Sequence, residues 1–355
     1  MKRNLQLDLL RFIGVALVMV SHLPTFGGNS IARLIFIRIQ AGGWIGVDLF
    51  FVLSGYLVSG LIIKEYQRYE TFDVKRFLIR RGFKIYPVYY ILIIYQFGYN
   101  YLNHVSQSKF AFFHEAIFVA NYFKANNSHL WSVSVEEHFY LFLSILFYFL
   151  IRFRKVNLSS IALTYVILLL IGFCFRLSYF ITYEHWNFMR DYCASHIRFD
   201  ALFFGVLLSY VANYRKDILD KVLTDEHRKI YIGLALAFLT TNFISREQHR
   251  WISVVNLSVN PLCFGYLLIQ LIHYENPKFL KAIVPFSYIG MYSYSIYLFH
   301  IHFLQLTFSI FDPESFLFYL FYAVVAIIGG IIISKSVEYP FIYYREKYFP
   351  SMSRN

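Results

Sequence analysis

The sequence LQLDLLRFIGVALVMVSHL, residues 5–23, has the length and apolar composition of a membrane-spanning helix, which needs about 20 residues. It nevertheless contains Asp8, Arg11 and His22. Ionisable groups inside a span are costly, so each of them suggests a function. Arg11 and His22 are about three helical turns apart, roughly 16 Å along the axis, and they share one face with Asp8. We therefore expect a polar track along this helix, although snorkelling of each side chain to its nearer surface is the simpler alternative.

The composition predicts a membrane protein with several spans. The 355 residues are 58% hydrophobic and 15% charged, whereas a soluble domain is about 25% charged. We attribute the net charge of +12 to Lys and Arg residues in the loops beside the membrane, and no nucleic-acid partner is expected. The first segment is too long, and too polar at its end, for a cleaved signal peptide. The 3 cysteines lack metal-ligand spacing, so neither a disulfide framework nor a metal site is expected.

Apolar runs of spanning length recur along the chain and predict an all-α, polytopic bundle of about ten transmembrane helices. The expected helices cover residues 5–25, 44–63, 85–103, 134–151, 158–181, 196–213, 230–245, 252–272, 284–309 and 316–337. We expect a single transmembrane domain over residues 1–345 and a short cytoplasmic tail at residues 346–355.

The distribution of Lys and Arg orients this bundle. Alternate loops and both ends of the chain carry most of the cations, including Lys2, Arg3, Arg354 and those of residues 64–84. The other side holds fewer: Arg33, Arg38, Lys109, Lys124, Arg190, Arg246 and Arg250. Because cytoplasmic loops are enriched in Lys and Arg, both termini are expected in the cytoplasm, which puts His22 near the outer face.

The polar residues fall into two groups at opposite membrane surfaces. The inner group contains Arg11, Arg80, Arg81 and Lys84, a cluster that suits phosphate groups as well as it suits anionic lipid headgroups. The outer group contains charged side chains and imidazoles expected near the level of His22: Asp48, Glu137, Arg176, His196, Arg198, Asp200 and His300. This arrangement indicates that a long substrate crosses the site, with its phosphate groups at the inner membrane surface and the reacting groups at the outer surface.

Some of these residues have a simpler structural explanation. Ser134 and Glu137 fit a capping box that opens the fourth helix, which accounts for one of the two adjacent acids. Arg198 and Asp200 could pair with each other or with neighbours. These alternatives stay open at the level of the residues.

Together, the segments resemble the acyltransferase-3 family of integral membrane O-acyltransferases. The resemblance rests on DLLR at residues 8–11 followed by His22, GVDLFFVLSGY at 46–56, RRGFKIYP at 80–87, WSVSVEE at 131–137, RFDAL at 198–202 and SIYLFH at 295–300. These pieces occur in the family order over nearly the whole chain. The chain departs from the family at Lys84, where Arg is frequent and would bind phosphate in a bidentate manner, and at His138, where Gln is common.

The resemblance implies about ten spans in a bacterial cytoplasmic membrane and transfer of an acyl group, often acetyl, from cytoplasmic acyl-CoA to a sugar hydroxyl of an envelope or exported glycan. It makes His22 the catalytic residue and Arg11 its motif partner. It also places Arg80 and Arg81 at the CoA phosphates and gives Glu137 a supporting role. The expected partners are acyl-CoA, a carbohydrate or glycolipid acceptor and the bilayer, without a permanently bound cofactor.

In the expected mechanism, the pantetheine arm of acyl-CoA points outward along the first helix. His22 acts as general base on the acceptor hydroxyl or, as the less favoured route, carries the acyl group itself. Asp48 or Glu137 orients the imidazole. The remaining candidates are expected to bind substrate: Arg11, Arg80, Arg81, Lys84, Arg198, Asp200 and His300.

Two other functions remain open. A transporter or flippase for a glycan or a lipid-linked sugar would also line a cavity with intramembrane charges, although no two-fold internal repeat is seen. A sensor or assembly protein with a polar core is the third possibility. A metalloenzyme is disfavoured because the sequence has no HExxH motif or paired histidine box.

Overall fold

The computed structural model describes residues 4–25, 27, 31–104, 109–244 and 249–352, and all regular structure within them is helical. The α-helices are α1 (Leu5–Ser21), α2 (Ile31–Gly42), α3 (Ile45–Tyr69), α4 (Val74–Leu102), α5 (Lys109–Ala116), α6 (Trp131–Arg152), α7 (Leu158–Thr182), α8 (Phe199–Tyr214), α9 (Lys216–Thr224), α10 (Arg228–Thr240), α11 (Trp251–Ile272), α12 (Pro277–Gly290), α13 (Ser293–Phe308), α14 (Phe316–Ile333) and α15 (Tyr339–Tyr348). Four cations used to orient the bundle lie outside the described residues: Lys2, Arg3, Arg246 and Arg354.

Several helices have the properties of membrane spans. Five described helical segments are long and apolar enough to cross a bilayer: Ile31–Tyr69, Ser128–Arg152, Leu158–Thr182, Trp251–Ile272 and Phe316–Tyr348. The most apolar part of α7 is only 17% buried within the protein, whereas that of α11 is 67% buried. An apolar surface left open in this way suits contact with lipid, so α7 lies at the periphery and α11 in the interior. The all-helical prediction is confirmed, and the ten spans and the cytoplasmic termini stay predictions.

The expected continuous helix over residues 284–309 is wrong, because the chain is broken between α12 and α13. The break lets the two halves pack on different partners: α12 lies along α1, and α13 lies along α14. Gly290, the last residue of α12, allows the close approach to α1. A Cβ atom at this position would lie 1.8 Å from the Asp8 carbonyl oxygen.

Three other predicted helix starts also need correction. The helix predicted from residue 85 begins at Val74, where the Asp73 side chain accepts a hydrogen bond of 2.9 Å from the Arg76 backbone N–H, so the basic cluster lies within α4. The capping box is wrong, because α6 begins at Trp131 and continues from a 3-10 turn. Ser134 lies inside α6 and donates to the Leu130 carbonyl at 3.3 Å. The helix predicted from residue 196 begins at Phe199 as α8.

The centre of the protein is built on a close contact between α3 and α8. A Cβ atom added to Gly55 would lie 1.8 Å from the Leu202 carbonyl oxygen, and one added to Gly205 would lie 2.2 Å from the Val52 carbonyl oxygen. The two helices therefore meet backbone to backbone, as small residues permit in membrane bundles. This contact fixes α3, which carries residues of both cavities described below.

Candidate active site: two adjoining cavities

The larger of two adjoining cavities, here called the histidine cavity, has a volume of about 400 Å³. Its polar lining includes His22 at the C-terminal cap of α1, Gln40 from α2 and His129. Aromatic side chains form much of the remaining wall: Trp44, Trp131, Trp186, Phe188, Tyr192 and Tyr297. No Asp, Glu, Lys or Arg occurs among the described residues that line it.

The second cavity, here called the basic cavity, has a volume of about 180 Å³. Its wall contains Arg11 from α1 and Arg81 and Lys84 from α4, so three of the four predicted phosphate-binding cations surround it. Glu136 and Tyr140 of α6 also belong to its polar lining. Cations converging on one cavity provide the charge that phosphate groups require.

The two cavities meet at Val47 and Tyr297, which line both of them. The Tyr297 hydroxyl is fixed in place because it donates to the His129 carbonyl at 2.7 Å and accepts from the Ser132 hydroxyl at 2.6 Å. A flexible ligand that occupied both cavities would pass beside this tyrosine.

Hydrogen bonds determine the proton positions on the central histidines. His22 Nδ1 lies 2.9 Å from the Val18 carbonyl oxygen, and His300 Nδ1 lies 2.5 Å from the Tyr297 carbonyl oxygen. Carbonyl oxygens only accept, so this network assigns a proton to both Nδ1 atoms. His300 Nε2 lies 3.4 Å from His22 Nδ1, and the two rings meet edge to face. In the neutral imidazole of His22, the lone pair is then on Nε2, the atom that a general base uses.

His129 extends the histidine pair into a row of three. Its ring lies against that of His300 with centroids 5.2 Å apart, and its Nε2 atom donates to the Leu298 carbonyl at 2.9 Å. The sequence pattern missed His129 because it lies in the short 3-10 turn before α6, with no spacing that connects it to His22 or His300.

Three of the four cations of the predicted inner group form ion pairs with different carboxylates. Arg11 pairs with Asp8 at 2.7 Å, which confirms that the two share a side of α1. Lys84 pairs with the buried carboxylate of Glu338. Arg80 does not line the basic cavity: it pairs with Glu346 at 2.9 Å and donates to the Phe349 carbonyl.

The charged pairs of the predicted outer group lie in the packed interior. Arg198 pairs with Asp48, which also accepts from Asn260 at 2.9 Å. Arg176 pairs with Asp200 at 2.7 Å. Arg198 and Asp200 therefore pair with neighbours and not with each other. None of these four charged residues is among the lining of either cavity, and their predicted roles in binding or catalysis stay predictions.

Comparison with known proteins identifies the family. A model of the acyltransferase-3 family, described as an acyltransferase domain, matches residues 4–335. The chain belongs to the acyltransferase-3 family. No solved structure matches it.

Relatives of this acyltransferase-3 chain occur in Staphylococcus aureus. It is 28% identical over 282 residues to O-acetyltransferase OatA of strain NCTC 8325, which covers 73% of this chain and 46% of that protein. It is 24% identical over 388 residues to the protein named "Putative O-acetyltransferase SAR0937" of strain MRSA252, which covers 98% of this chain and 60% of that protein. The chain thus spans about half the length of the curated relatives it matches.

Of the two adjacent acids in this acyltransferase domain, the structure brings the unpredicted one into the basic cavity. Glu136 lines it and accepts a hydrogen bond of 2.5 Å from the Tyr140 hydroxyl, which lies 2.7 Å from the Ser54 hydroxyl. Glu137, which was predicted to support His22, instead accepts from Tyr86 of α4 at 3.0 Å. The four-residue spacing of Glu136 and Tyr140 puts both on one helix face and is the signal that could have identified this pair.

Proposed function

We propose that this chain is a membrane O-acyltransferase that moves an acyl group, in the simplest case acetyl, from acyl-CoA to a hydroxyl of an envelope or exported glycan. The observation that carries the proposal is that a cation-lined cavity adjoins a histidine-lined cavity at Tyr297. Acyl-CoA has a phosphorylated end, which suits the cation-lined cavity, and a reactive thioester end, which suits the histidine-lined cavity. The names of the staphylococcal relatives support an acetyl group as the transferred unit.

The donor binds with its phosphates toward the basic cavity. Arg11, Arg81 and Lys84 supply the positive charge there, and the arginines can contact phosphate oxygens in a bidentate manner whereas Lys84 acts as a point charge. The pantetheine arm passes Val47 and Tyr297, which puts the thioester beside His22.

His22 is the catalytic residue of the transfer. Its Nε2 atom takes the proton of the acceptor hydroxyl as the oxygen attacks the thioester carbonyl. The carbon–sulfur bond then breaks, and the CoA thiolate leaves and takes the proton back from the imidazolium. The Val18 carbonyl and the His300 ring hold the imidazole in the required orientation. In this proposal the Val18 carbonyl and the His300 ring orient His22, a role that was predicted for Asp48 or Glu137.

The membrane arrangement is part of the same proposal. The chain forms one domain of about ten spans in the bacterial cytoplasmic membrane, with both termini and the basic cavity on the cytoplasmic side. This topology gives acyl-CoA access from the cytoplasm and puts His22 at the outer side, where an exported glycan is available.

The test is CoA release from acetyl-CoA by detergent-purified protein, with and without a crude envelope glycan extract. Acceptor-dependent release is expected from the wild type and its loss from His22→Ala. The matched control is His227→Ala, which changes an exposed histidine outside both cavities. CoA release that persists in His22→Ala would overturn the catalytic role of His22. No CoA release with any extract would overturn the proposed transfer and favour glycan transport.

A further inference from the structure

We propose that the histidine cavity receives an uncharged sugar ring of the acceptor and discriminates against rings that carry a carboxylate or a phosphate. This inference rests on the proposed function and specifies the acceptor class of the same site. It follows from three properties of the cavity: its aromatic walls, its neutral hydrogen-bonding groups and the absence of formal charge among the described residues that line it.

The walls match the two kinds of surface that a sugar ring presents. Trp131, Trp186 and Tyr192 offer aromatic surface to the apolar C–H face of a pyranose. The polar groups for the ring's hydroxyl edge are the Ser21 and Ser128 hydroxyls and the Gln40 amide, which is held in place because it donates to the Leu23 carbonyl and accepts from the Thr25 hydroxyl. A volume of about 400 Å³ lies in the range of small-ligand sites, which combine mostly apolar walls with a few polar groups.

Among the described residues that line the cavity, no Lys or Arg is present to balance an anionic sugar. Moving a carboxylate from water into a partly apolar site is costly unless a positive group pairs with it. Arg198 lies behind the wall, with its guanidinium carbon 4.7 Å from the Tyr192 ring centre and 5.9 Å from that of Trp131. Its charge is already paired with Asp48 behind the wall, so it is not available to a ligand.

The same contacts make Arg198 a positioning residue for the wall. Its guanidinium packs against both aromatic rings, an arrangement that stabilises them through cation–π attraction. The Tyr192 hydroxyl also donates to the Trp44 carbonyl at 3.1 Å. The aromatic surface is therefore held rigid before the acceptor binds, which lowers the entropic cost of binding.

Tryptophan fluorescence gives a direct readout of this cavity. The chain has 4 tryptophans, and Trp44, Trp131 and Trp186 line the histidine cavity. Trp251→Phe removes the remaining tryptophan, an exposed residue at the start of α11, and leaves a protein that reports on the cavity. Three probes are titrated: the β-1,4 tetramers of glucose and of N-acetylglucosamine, and the glucose tetramer oxidised at C6 to the carboxylate.

The expected result is a saturable fluorescence change with at least one neutral tetramer, at a half-saturating concentration at least tenfold below that of the oxidised tetramer. Gln40→Leu should weaken this response, and the control Gln67→Leu, at an exposed position outside the cavity, should not. The inference is overturned by no response to either neutral tetramer, by equal or tighter binding of the oxidised one, or by an unchanged response in Gln40→Leu.

The CoA-release assay separates this inference from the proposed function. A fluorescence response with the expected preference, without CoA release from any extract, would overturn the transfer reaction and support the sugar site. Acceptor-dependent CoA release with a preference for acidic saccharides would support the reaction and overturn the neutral-sugar assignment.

Discussion

The Arg198–Asp48 pair tests whether a buried charged pair stabilises the fold or binds substrate. The two side chains are 1% and 0% exposed, and Asp48 also accepts from Asn260. Replacement Arg198→Met leaves the carboxylate buried without its cation, which should lower the free energy of unfolding by about 3–5 kcal/mol. Adding Asp48→Asn removes that charge and keeps an acceptor for Asn260. The double variant should recover most of the loss, since a buried ion pair can often be replaced by neutral groups of similar volume at little cost.

The measurement is a double-mutant cycle on unfolding by sodium dodecyl sulfate in mixed micelles, followed by tryptophan fluorescence. The two single variants, the double variant and the wild type are compared under one condition. Arg215→Met is the matched control, because Arg215 pairs with Asp217 at 2.6 Å on the surface, where the side chains are 40% and 56% exposed. Loss of such an exposed pair should leave stability nearly unchanged.

Two results would refute this reasoning. If Arg198→Met destabilises no more than Arg215→Met, the pair is not the buried structural link inferred from its geometry. If the double variant is as unstable as Arg198→Met, the unpaired Asp48 carboxylate is not the cause of the loss.

Three further predictions concern the cavities and the core. His22→Ala removes the general base and should lower kcat of acyl transfer in steady-state assays by about 10²–10⁴-fold, with unchanged elution on gel filtration. A smaller loss of kcat would argue against that role. Arg81→Met should raise the KM for acetyl-CoA but not for acetyl-pantetheine, which lacks the nucleotide phosphates, and an equal defect with both donors would exclude a phosphate contact. Gly55→Leu should prevent the close approach of α3 and α8 and lower the unfolding temperature sharply, since even a Cβ atom would lie 1.8 Å from the Leu202 carbonyl oxygen. Gly98→Ala should not destabilise the protein, because an added Cβ there would meet no atom within 4 Å apart from those of the adjoining residues and of the backbone of its own helix.

The sequence predicted the helical class better than it predicted individual helix ends. Periodicity and hydropathy located the apolar segments, because bilayer thickness sets their length. The break after Gly290 was not predicted, since both halves are apolar and only the packing of α12 on α1 separates them. Asp73, the N-cap residue of α4, lies twelve residues before the predicted start of that helix, and it was missed because the basic cluster resembled a loop flanking a span.

The cavities show which part of a site a single sequence can reveal. Arg11 and His22 were predicted to share a face, and they line adjoining cavities. Glu136 and His129 were missed because their relevance depends on side-chain direction and on contacts between distant segments. Glu136 and Glu137 are the clearest case. They are neighbours in the sequence, but their side chains leave α6 in different directions, so that Glu136 lines the basic cavity and Glu137 contacts Tyr86.

The separation of charge between the two cavities has a physical rationale in the proposed reaction. A cation beside His22 would disfavour the imidazolium that forms when the base takes the acceptor proton, whereas cations around the donor phosphates strengthen binding. Lys84, on the phosphate side, is compensated by Glu338, which also accepts from Ser295 at 3.0 Å. This pairing stabilises the buried Glu338 carboxylate and the half-buried Lys84 ammonium, because an isolated buried charge would be far more costly than a paired one. The phosphates then need only to compete with a carboxylate for a cation that is already in position.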